Sequence, residues 1–353
     1  MNVLLLTSHS IAEYDDLRML TDLGYDVYSI GGAYSEVPFE GKRPPLDVPR
    51  YPELEAATEA QRARMEQEHG SPDQRPQGGH HNIDWGKARL APEVIDWADV
   101  IIVHHFPEQW IIGQWDAIRS KRVIWRTCGQ SDPRLESVME PFHADGMQIV
   151  RYSPKEEEAF TQQGMWAGQD AVIRFGKYPA DYGPYDGAIA AIGNVTQDMA
   201  QRGEICGLDR WNRITAGLAV NPAGPGSEAL RGGFGSLSYT DMLSYLRHIR
   251  AYLYLGTQPA SYTLGLMEAM LSGVPVLPIR WEVPDLDWRW LGDLWEANDI
   301  VAGSPATMAA RGFLEALLRD KDFAIMRGEE HRQRAIELFD VATVGPQWKA
   351  FLG

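Results

Sequence analysis

Short apolar runs alternate with amphipathic segments along most of the chain. Residues 3–7 form an apolar run of strand length, which is typical of a parallel strand covered on both faces. A polar loop at 8–14, a helix at 16–23 that Gly24 ends, and a second strand at 26–30 follow. This order predicts a βαβ unit at the start of the chain.

The rest of the first half keeps the same alternation, interrupted by one irregular stretch. Residues 70–81 are rich in glycine, proline and polar side chains, and their composition predicts a loop. The flanking patterns predict helices and strands, the helices at 53–67 and 154–163 and the strands at 99–103, 123–125 and 148–150.

Glycine and proline cluster again at 175–187, where we place a linker. A second α/β series follows, with strands at 188–192, 218–220, 251–255 and 274–277 and helices at 239–250, 264–271, 305–318 and 322–338. Because 353 residues exceed one ordinary hydrophobic core, the sequence predicts two doubly wound α/β domains. Sheets of this kind bind ligands at the carboxyl ends of their strands.

The charge and composition of the chain argue against nucleic acids and membranes as binding partners. The formal net charge is −16 and neither half of the chain is basic, which disfavours nucleic acid and anionic membranes. No apolar run reaches the roughly 20 residues of a transmembrane segment, and residues 1–7 lack the basic start of a signal peptide. We therefore expect a soluble, cytoplasmic protein in which Cys128 and Cys206 are free thiols. The oligomeric state stays open.

The segment at 251–279 carries the clearest chemistry. A buried strand leads to a loop of small and hydroxyl residues, which opens a helix at Leu264. With Thr263 as the cap, the exposed amides of this helix start can bind a diphosphate. One turn later, the carboxylate of Glu268 can accept hydrogen bonds from adjacent ribose hydroxyls. The alternative is an ordinary βαβ unit in which Glu268 is solvated or caps the helix.

Residues 265–276, GLMEAMLSGVPV, resemble the nucleotide-sugar motif of glycosyltransferase family 4, in which Glu, seven residues and Glu-Ala-Met precede Gly-x-Pro-Val. The resemblance implies the GT-B fold, with two Rossmann-like doubly wound domains that face each other across a cleft. It implies an N-terminal acceptor-side domain at 1–175 and a C-terminal nucleotide-sugar-binding domain at 186–340. A last segment at 341–353 is expected to pack back toward the N-terminal domain.

The same resemblance assigns a donor site. Glu268 is expected to hold the ribose, and the loop that opens the helix is expected to lie under the sugar and the diphosphate. The loop residues assigned to the donor are Ser261, Tyr262, Thr263, Leu264 and Gly265. The first Glu of the family motif falls on Ala260, which has no carboxylate, and this departure leaves the identity of the transferred sugar open.

The family also brings two cations to the diphosphate leaving group, where they neutralise developing charge. Gly193 and Asn194 stand where the family has Gly-Arg, so one cation is missing and these two residues are expected only to line the nucleotide. Arg202 stands for the lysine of the later Lys-Gly and can clamp phosphate oxygens. Arg210 and Arg213 are weaker candidates for the missing charge, and a solvated surface arginine is the alternative interpretation of Arg202.

Candidates in the first half lie at predicted strand ends. His105 lies two residues before a proline after the strand at 99–103, a spacing common in the family, where such a histidine contacts the donor sugar or the acceptor. His9, in the loop after the first strand, and Gln130, after a later strand, are expected on the acceptor side. A purely structural histidine at the strand end is the alternative for His105.

The sequence thus predicts a hexosyltransferase-like enzyme that moves a sugar from a nucleotide diphospho-sugar to an unknown hydroxyl acceptor. The resemblance implies retention at the anomeric carbon, with His105 and Arg202 as catalytic residues. No resident cofactor is expected, since the nucleotide sugar is a co-substrate. No metal is expected either. The Asp-x-Asp at 285–287 has the form of a motif that binds a metal–diphosphate, but it follows the predicted helix at 264–271 instead of ending an early strand. The alternatives are a nucleotide-sugar epimerase or phosphorylase on the same fold, or a non-catalytic nucleotide-sugar-binding protein.

Overall fold

The computed structural model describes residues 1–7, 9–69, 89–105, 107–128, 133–161, 164–257, 262–280, 295–296 and 301–353. The protein consists of two compact units. Unit 1 contains Met1–Tyr152, Phe160–Phe175 and Trp348–Gly353, and unit 2 contains Ser153–Ala159 and Gly176–Gln347. Each unit has its own sheet and its own hydrophobic core.

The strands of unit 1 are β1 (Asn2–Leu6), β2 (Asp26–Ile30), β3 (Val100–His104), β4 (Arg122–Arg126), β5 (Gln148–Arg151) and β6 (Ala171–Val172). They form a parallel sheet in the order β2-β1-β3-β4-β5-β6. The apolar residues of β1 and β3 are all buried, as in a parallel strand whose two faces are covered. This confirms the strands predicted from the apolar runs of the first half.

The helices of unit 1 are α1 (Ser10–Asp22), α2 (Pro52–His69), α3 (Pro92–Trp97), α4 (Glu108–Ile111), α5 (Trp115–Ile118) and α6 (Pro133–Ala144). The predicted polar loop at 8–14 is wrong, because α1 already begins at Ser10. His9 caps this helix, since its Nδ1 accepts a hydrogen bond from the amide of Ala12 at 3.3 Å. Its polar residues Glu13 and Asp16 are buried, so the usual polar and apolar faces of a helix are not visible in the sequence.

The hydrophobic core of unit 1 lies between its sheet and its helices. Strand residues and helix residues contribute to it, among them Leu4, Leu6, Val103, Trp125, Val94, Ile118 and Met139. Burying each large apolar side chain contributes roughly 1.5–3 kcal/mol. The end of the chain belongs to the same unit, because Arg122 donates hydrogen bonds to the carbonyl oxygens of Phe351 and Leu352, at 2.7 and 2.9 Å.

The strands of unit 2 are β7 (Ile189–Gly193), β8 (Ile249–Tyr254), β9 (Val276–Arg280) and β10 (Trp295–Glu296), and they form a parallel sheet in the order β10-β9-β8-β7. The strand predicted at 218–220 is wrong, because that run contributes only a single bridge, between Ile192 and Val220. Gly217, at φ 75°, and Pro222 bound the run and leave it too short to extend the ladder.

Helix α7 (Glu156–Thr161) lies at the first crossing between the units. The helices of unit 2 are α8 (Met199–Arg202), α9 (Leu208–Thr215), α10 (Tyr239–His248), α11 (Leu264–Leu271), α12 (Pro305–Arg319) and α13 (Lys321–Phe339), and α14 (Val341–Leu352) ends the chain. The helix predicted at 264–271 is confirmed at both ends. Ser304 and Asp320 accept hydrogen bonds from the amides of Thr307 and Phe323, which caps α12 and α13.

The core of unit 2 connects its sheet to the flanking helices. Its buried residues include Ile192, Ala251, Leu253, Leu277, Trp211, Ala310 and Leu314. The parallel sheets of both units confirm the predicted doubly wound α/β class. Among the helices of the described ranges, none combines the length and the apolar composition required to cross a lipid bilayer.

Candidate functional site

The start of α11 lies at the carboxyl edge of the unit 2 sheet, because the chain approaches this helix from the end of β8. Thr263 occupies the N-cap position in an extended conformation, with φ −119° and ψ 159°. Its side chain makes no capping hydrogen bond, unlike the hydroxyl cap expected from the sequence. The first amides of a helix have no partner inside it, so this helix start can receive an anion.

Glu268 lies on the second turn of α11 and is buried against Lys177. The Lys177 Nζ is 3.1 Å from the Glu268 Oε1, and the two side chains are only 1% and 4% exposed. The solvated alternative for Glu268 is therefore wrong. A carboxylate and an ammonium that are both removed from water stabilise each other's charge, while either one alone would be costly to bury.

Tyrosine hydroxyls fix the loop that follows β7. The amide of Asn194 donates to the Tyr245 hydroxyl at 3.2 Å, and the amide of Val195 donates to the Tyr252 hydroxyl at 3.0 Å. The Asn194 Nδ2 donates to the carbonyl oxygen of Leu253 at 2.8 Å. Burial raises the pKa of Tyr252, and the neighbouring Tyr254 and Glu268 raise it further. The predicted donor residue Asn194 thus holds its own loop in place.

The loop after β7 and the start of α11 are neighbours. A Cβ on Gly265 would lie 3.5 Å from the carbonyl oxygen of Val195 and 3.9 Å from the Tyr252 hydroxyl. Gly193 has no room for a side chain, because its Cβ would lie 2.3 Å from the Tyr245 hydroxyl. The structure therefore places Gly265 beside the loop that contains Gly193 and Asn194, and their role in binding a nucleotide stays a prediction.

Arg202 is the last residue of α8, and its Nη1 donates a hydrogen bond to the carbonyl oxygen of Gln197 at 3.4 Å. The turn that follows α8 reaches the residue directly after β8, because a Cβ on Gly207 would lie 3.2 Å from the Leu255 Cβ. Burial raises the pKa of the Cys206 thiol in this turn, while the charge of Arg202 and a hydrogen bond with Thr257 lower it. Arg210 and Arg213 each pair with a carboxylate, at 2.9 and 3.7 Å.

The remaining loop residues of the predicted donor site differ in their placement. Tyr262 is buried, and its ring packs against Phe339 with the ring centroids 5.4 Å apart. Leu264 begins α11 and is partly exposed. Ser261 and Ala260 lie outside the described residues, as do Gln130 and the Asp-x-Asp at 285–287.

The two predicted histidines of unit 1 lie together at the carboxyl edge of its sheet. The ring centroids of His9 and His105 are 6.1 Å apart, with an angle of 84° between the planes. His105 follows β3 directly and has φ 67°, in the left-handed region that non-glycine residues rarely adopt. Its amide donates to the carbonyl oxygen of Arg126 at 3.2 Å. Local strain of this kind clusters at functional sites.

A buried charged group lies behind these histidines. The His104 Nε2 is 3.1 Å and the Arg126 Nε is 3.9 Å from the same Asp16 oxygen, Oδ2, and the side chains of His104, Arg126 and Asp16 are at most 1% exposed. Arg126 also lies over the ring of Phe175, with its guanidinium carbon 4.4 Å from the ring centroid. His105, which follows β3 directly, is buried as well, at 7% exposed.

Glu13 adds a second buried carboxylate to this edge. Its carboxylate accepts hydrogen bonds from the Ser29 hydroxyl at 2.6 Å and from the amides of Gly32 and Ala33 at 2.8 and 3.1 Å. Burial raises its pKa, and these hydrogen bonds lower it. Within the described part of the chain, no group of three or more His, Cys, Asp or Glu side chains could hold a metal ion.

Sequence reasoning missed Lys177, Tyr245, Tyr252, Asp16 and His104. Lys177 lies in the glycine- and proline-rich linker, where a single lysine carries no pattern. The two tyrosines look like ordinary core positions. His104 ends the buried strand β3, so its place at the end of an apolar run was the signal that could have marked it as buried.

Comparisons with known proteins show the fold. The chain is similar to sucrose-phosphate synthase from Thermosynechococcus elongatus, with 14% identity, a TM-score of 0.64 and coverage of 100% of this chain and 98% of that chain. It is similar to Anabaena HepE in complex with UDP and glucose, with 15% identity, a TM-score of 0.63 and coverage of 100% and 99%. A glycosyltransferase from Rickettsia africae shares 12% identity at a TM-score of 0.61, with coverage of 99% and 97%.

These structures confirm that the chain has the GT-B fold. No protein-family model and no curated protein sequence matches the chain.

Proposed function

We propose that unit 2 binds a nucleoside-diphosphate sugar and that the protein transfers the sugar to a hydroxyl acceptor. The observation that carries this proposal is Glu268, a buried carboxylate one turn inside α11, whose first turn lies at the carboxyl edge of a parallel sheet. Helix amides at such an edge attract phosphate oxygens. A carboxylate at this depth accepts hydrogen bonds from ribose hydroxyls, as in other nucleotide-binding sheets.

The diphosphate is the leaving group in this proposal. Negative charge builds on it as the glycosidic bond breaks, and preorganised amides and a cation lower that barrier. The amides of Leu264 and Gly265 supply the donors, and Arg202 supplies the cation. Arg202 ends α8, and the turn after this helix packs against Leu255, which follows β8 directly; this placement supports the role.

The remaining assignments concern the reaction course. His105 and His9 are the polar groups of unit 1 that we assign to the transferred sugar or the acceptor, and Gln130 completes the acceptor side. We propose retention at the anomeric carbon, by attack on the face from which the diphosphate leaves. Such a route requires no protein nucleophile, and the proposal includes no metal ion.

UDP-glucose is the first donor to test. The similar HepE structure contains UDP and glucose. Calorimetric titration with UDP, GDP, ADP and TDP should identify one nucleotide that binds, and that nucleotide should raise the Tm by mass action. The Glu268→Gln variant should bind it about tenfold more weakly or worse, since about 1.4 kcal/mol corresponds to tenfold.

The matched control is Glu315→Gln, the same substitution at a half-exposed glutamate of α12, which should bind like wild type. The proposal is refuted if none of the four nucleotides binds, or if Glu268→Gln binds as tightly as wild type.

A non-catalytic nucleotide-sugar-binding protein is the second candidate. It is favoured by Asn194, which stands where the family places a cationic arginine and instead holds its own loop through Tyr245 and Leu253. Product analysis separates the functions. Release of nucleoside diphosphate only with an added acceptor supports transfer, and binding without release across an acceptor panel supports the second candidate. Isomerised sugar in the absence of acceptor would indicate an epimerase.

A further inference from the structure

Lys177 has a fixed backbone at the point where the chain enters unit 2. Its amide donates to the carbonyl oxygen of Phe339 at 2.7 Å, and its own carbonyl oxygen accepts from the amide of Val341 at 2.9 Å. These bonds form a parallel bridge with Asp340, between the end of α13 and the start of α14. The ammonium therefore extends from a backbone that is held on both sides.

The residues around this bridge also support the start of α11. Phe339, whose carbonyl oxygen receives the Lys177 amide, packs its ring against Tyr262, and Tyr262 lies immediately before the N-cap Thr263. The Lys177 side chain then reaches Glu268 on the same helix, with 3.1 Å between Nζ and Oε1. The two bridged segments thus contact the chain just before α11, through Phe339, and the buried carboxylate of α11, through Lys177.

Both partners of the pair are removed from solvent. The neighbours of Glu268 on α11, Met267 and Met270, are fully buried, and the Lys177 and Glu268 side chains are 1% and 4% exposed. Replacing such a pair with apolar residues is often neutral or stabilising, so a buried ion pair is weak evidence for a role in stability. Because Glu268 lies on α11, the helix that we assign to the nucleotide, the position of the pair indicates a role in binding instead.

We propose that Lys177 is a positioning residue for the ribose-binding carboxylate, and that it makes the site selective for ribose over 2′-deoxyribose. The inference rests on the proposed function, because it requires Glu268 to meet the ribose. An anionic acceptor makes hydrogen bonds roughly twice as strong as a neutral one. Lys177 holds Glu268 in that anionic form and at a fixed position, so that the 2′-hydroxyl is bound strongly.

The test compares two probes, UDP and 2′-deoxy-UDP, by calorimetry. Wild type should bind UDP about tenfold more tightly than 2′-deoxy-UDP, a ratio equivalent to about 1.4 kcal/mol. Glu268→Gln should reduce this ratio to about two or less, because a neutral acceptor binds the hydroxyl more weakly. Lys177→Met should reduce the ratio to the same extent, and Lys177→Arg, which retains the cation, should restore most of it.

Lys321→Met is the control, since it removes an exposed lysine at the start of α13. It should keep the wild-type ratio. If Lys177→Met does not fold, Lys177→Gln serves in its place, because it keeps a polar donor and removes only the charge.

A wild-type ratio in a folded Lys177→Met or Lys177→Gln protein would overturn the positioning role, even if its Tm falls, since a purely structural lysine changes stability without changing ribose selectivity. Wild-type protein that binds neither probe, nor any other nucleoside diphosphate, would refute the proposed function itself. The two failures are therefore distinguishable.

Discussion

The carboxyl edges of the two sheets are built from different chemistry. In unit 1, ionisable side chains gather in a buried layer that includes Glu13, Asp16, His104 and Arg126. In unit 2, neutral tyrosine hydroxyls receive the amides of the loop after β7, and the buried carboxylate of Glu268 is paired with Lys177. Several buried ionisable groups thus lie at the unit 1 edge, while the loop after β7 at the unit 2 edge is held by neutral hydrogen bonds beside one ion pair.

Under the proposed function, this difference in charge follows from the ligand, because the unit 2 edge binds a diphosphate. A diphosphate brings its own negative charge, so its site benefits from fixed amides and from few competing ions. Tyrosine hydroxyls can hold a loop without adding charge. At the other edge, the buried ionisable side chains lie beside a strand end at which His105 adopts φ 67°, next to a second histidine. The comparison predicts different responses when each edge is altered.

Removing the central charge of the unit 1 edge should have the largest effect. Asp16→Asn leaves the buried Arg126 and His104 without their carboxylate, and loss of one partner of a buried pair costs about 3–5 kcal/mol. Denaturant unfolding would measure this change. Asp116→Asn, at an aspartate whose side chain is 95% exposed, is the matched control and should change stability by less than about 1 kcal/mol. Equal effects in both variants would show that the edge does not depend on charge.

A buried histidine in unit 2 extends the comparison, because it accepts a hydrogen bond from a backbone amide. The His331 Nδ1 accepts a hydrogen bond from the amide of Val276 at 2.8 Å. Burial and, to a smaller extent, the charge of Arg327 lower the pKa of His331 to about 3. The neutral ring is therefore the form that the folded protein requires.

The sign of the pH dependence follows from this lowered pKa. The unfolded chain binds a proton at His331 below about pH 6.5, and the folded protein does so only near pH 3. The stabilising contribution is therefore complete above about pH 6.5 and is lost as the pH falls toward 3, by about 1.4 kcal/mol per pH unit. His331→Asn, which keeps an acceptor for Val276, should flatten unfolding free energy against pH between about 6.5 and 5. An unchanged slope would contradict this assignment.

The smallest expected change in stability tests how tightly the loop after β7 packs against Tyr245. Gly193→Ala would place a Cβ 2.3 Å from the Tyr245 hydroxyl, and overpacking of this kind costs about 1–2 kcal/mol. Gly312→Ala, inside α12 with no atom within 4 Å of the added Cβ, should instead stabilise the protein by about 0.5–1 kcal/mol. Thermal unfolding of the two variants should give shifts of opposite sign. Tolerance of alanine at 193 would mean that the tyrosine can move.

Most of the fold could be predicted from the sequence because parallel strands are continuous apolar runs. Such runs identified β1, β3 and β4, and the break at Gly273 marked the end of α11. Helix α1 was placed too late, since its inward face carries Glu13 and Asp16, which partner polar groups inside the protein. The run at 218–220 was assigned as a strand because its apolar character does not reveal how short the ladder is.

The candidate site was only partly predictable for a related reason. Glu268 and the start of α11 stand in one continuous segment, so a local pattern shows them. Lys177 is distant from Glu268 in the sequence, and a contact of this kind exists only after the chain has folded. The same holds for Tyr245 and Tyr252, whose hydroxyls are satisfied by amides that no local pattern identifies.

A crystal structure of the protein soaked with the nucleoside diphosphate that binds in calorimetry would test the central claim most directly. We predict phosphate oxygens at the amides of Leu264 and Gly265, and ribose hydroxyls within hydrogen-bonding distance of the Glu268 carboxylate, with Lys177 still in contact with it. A nucleotide bound elsewhere, with the ribose away from Glu268, would contradict the claim.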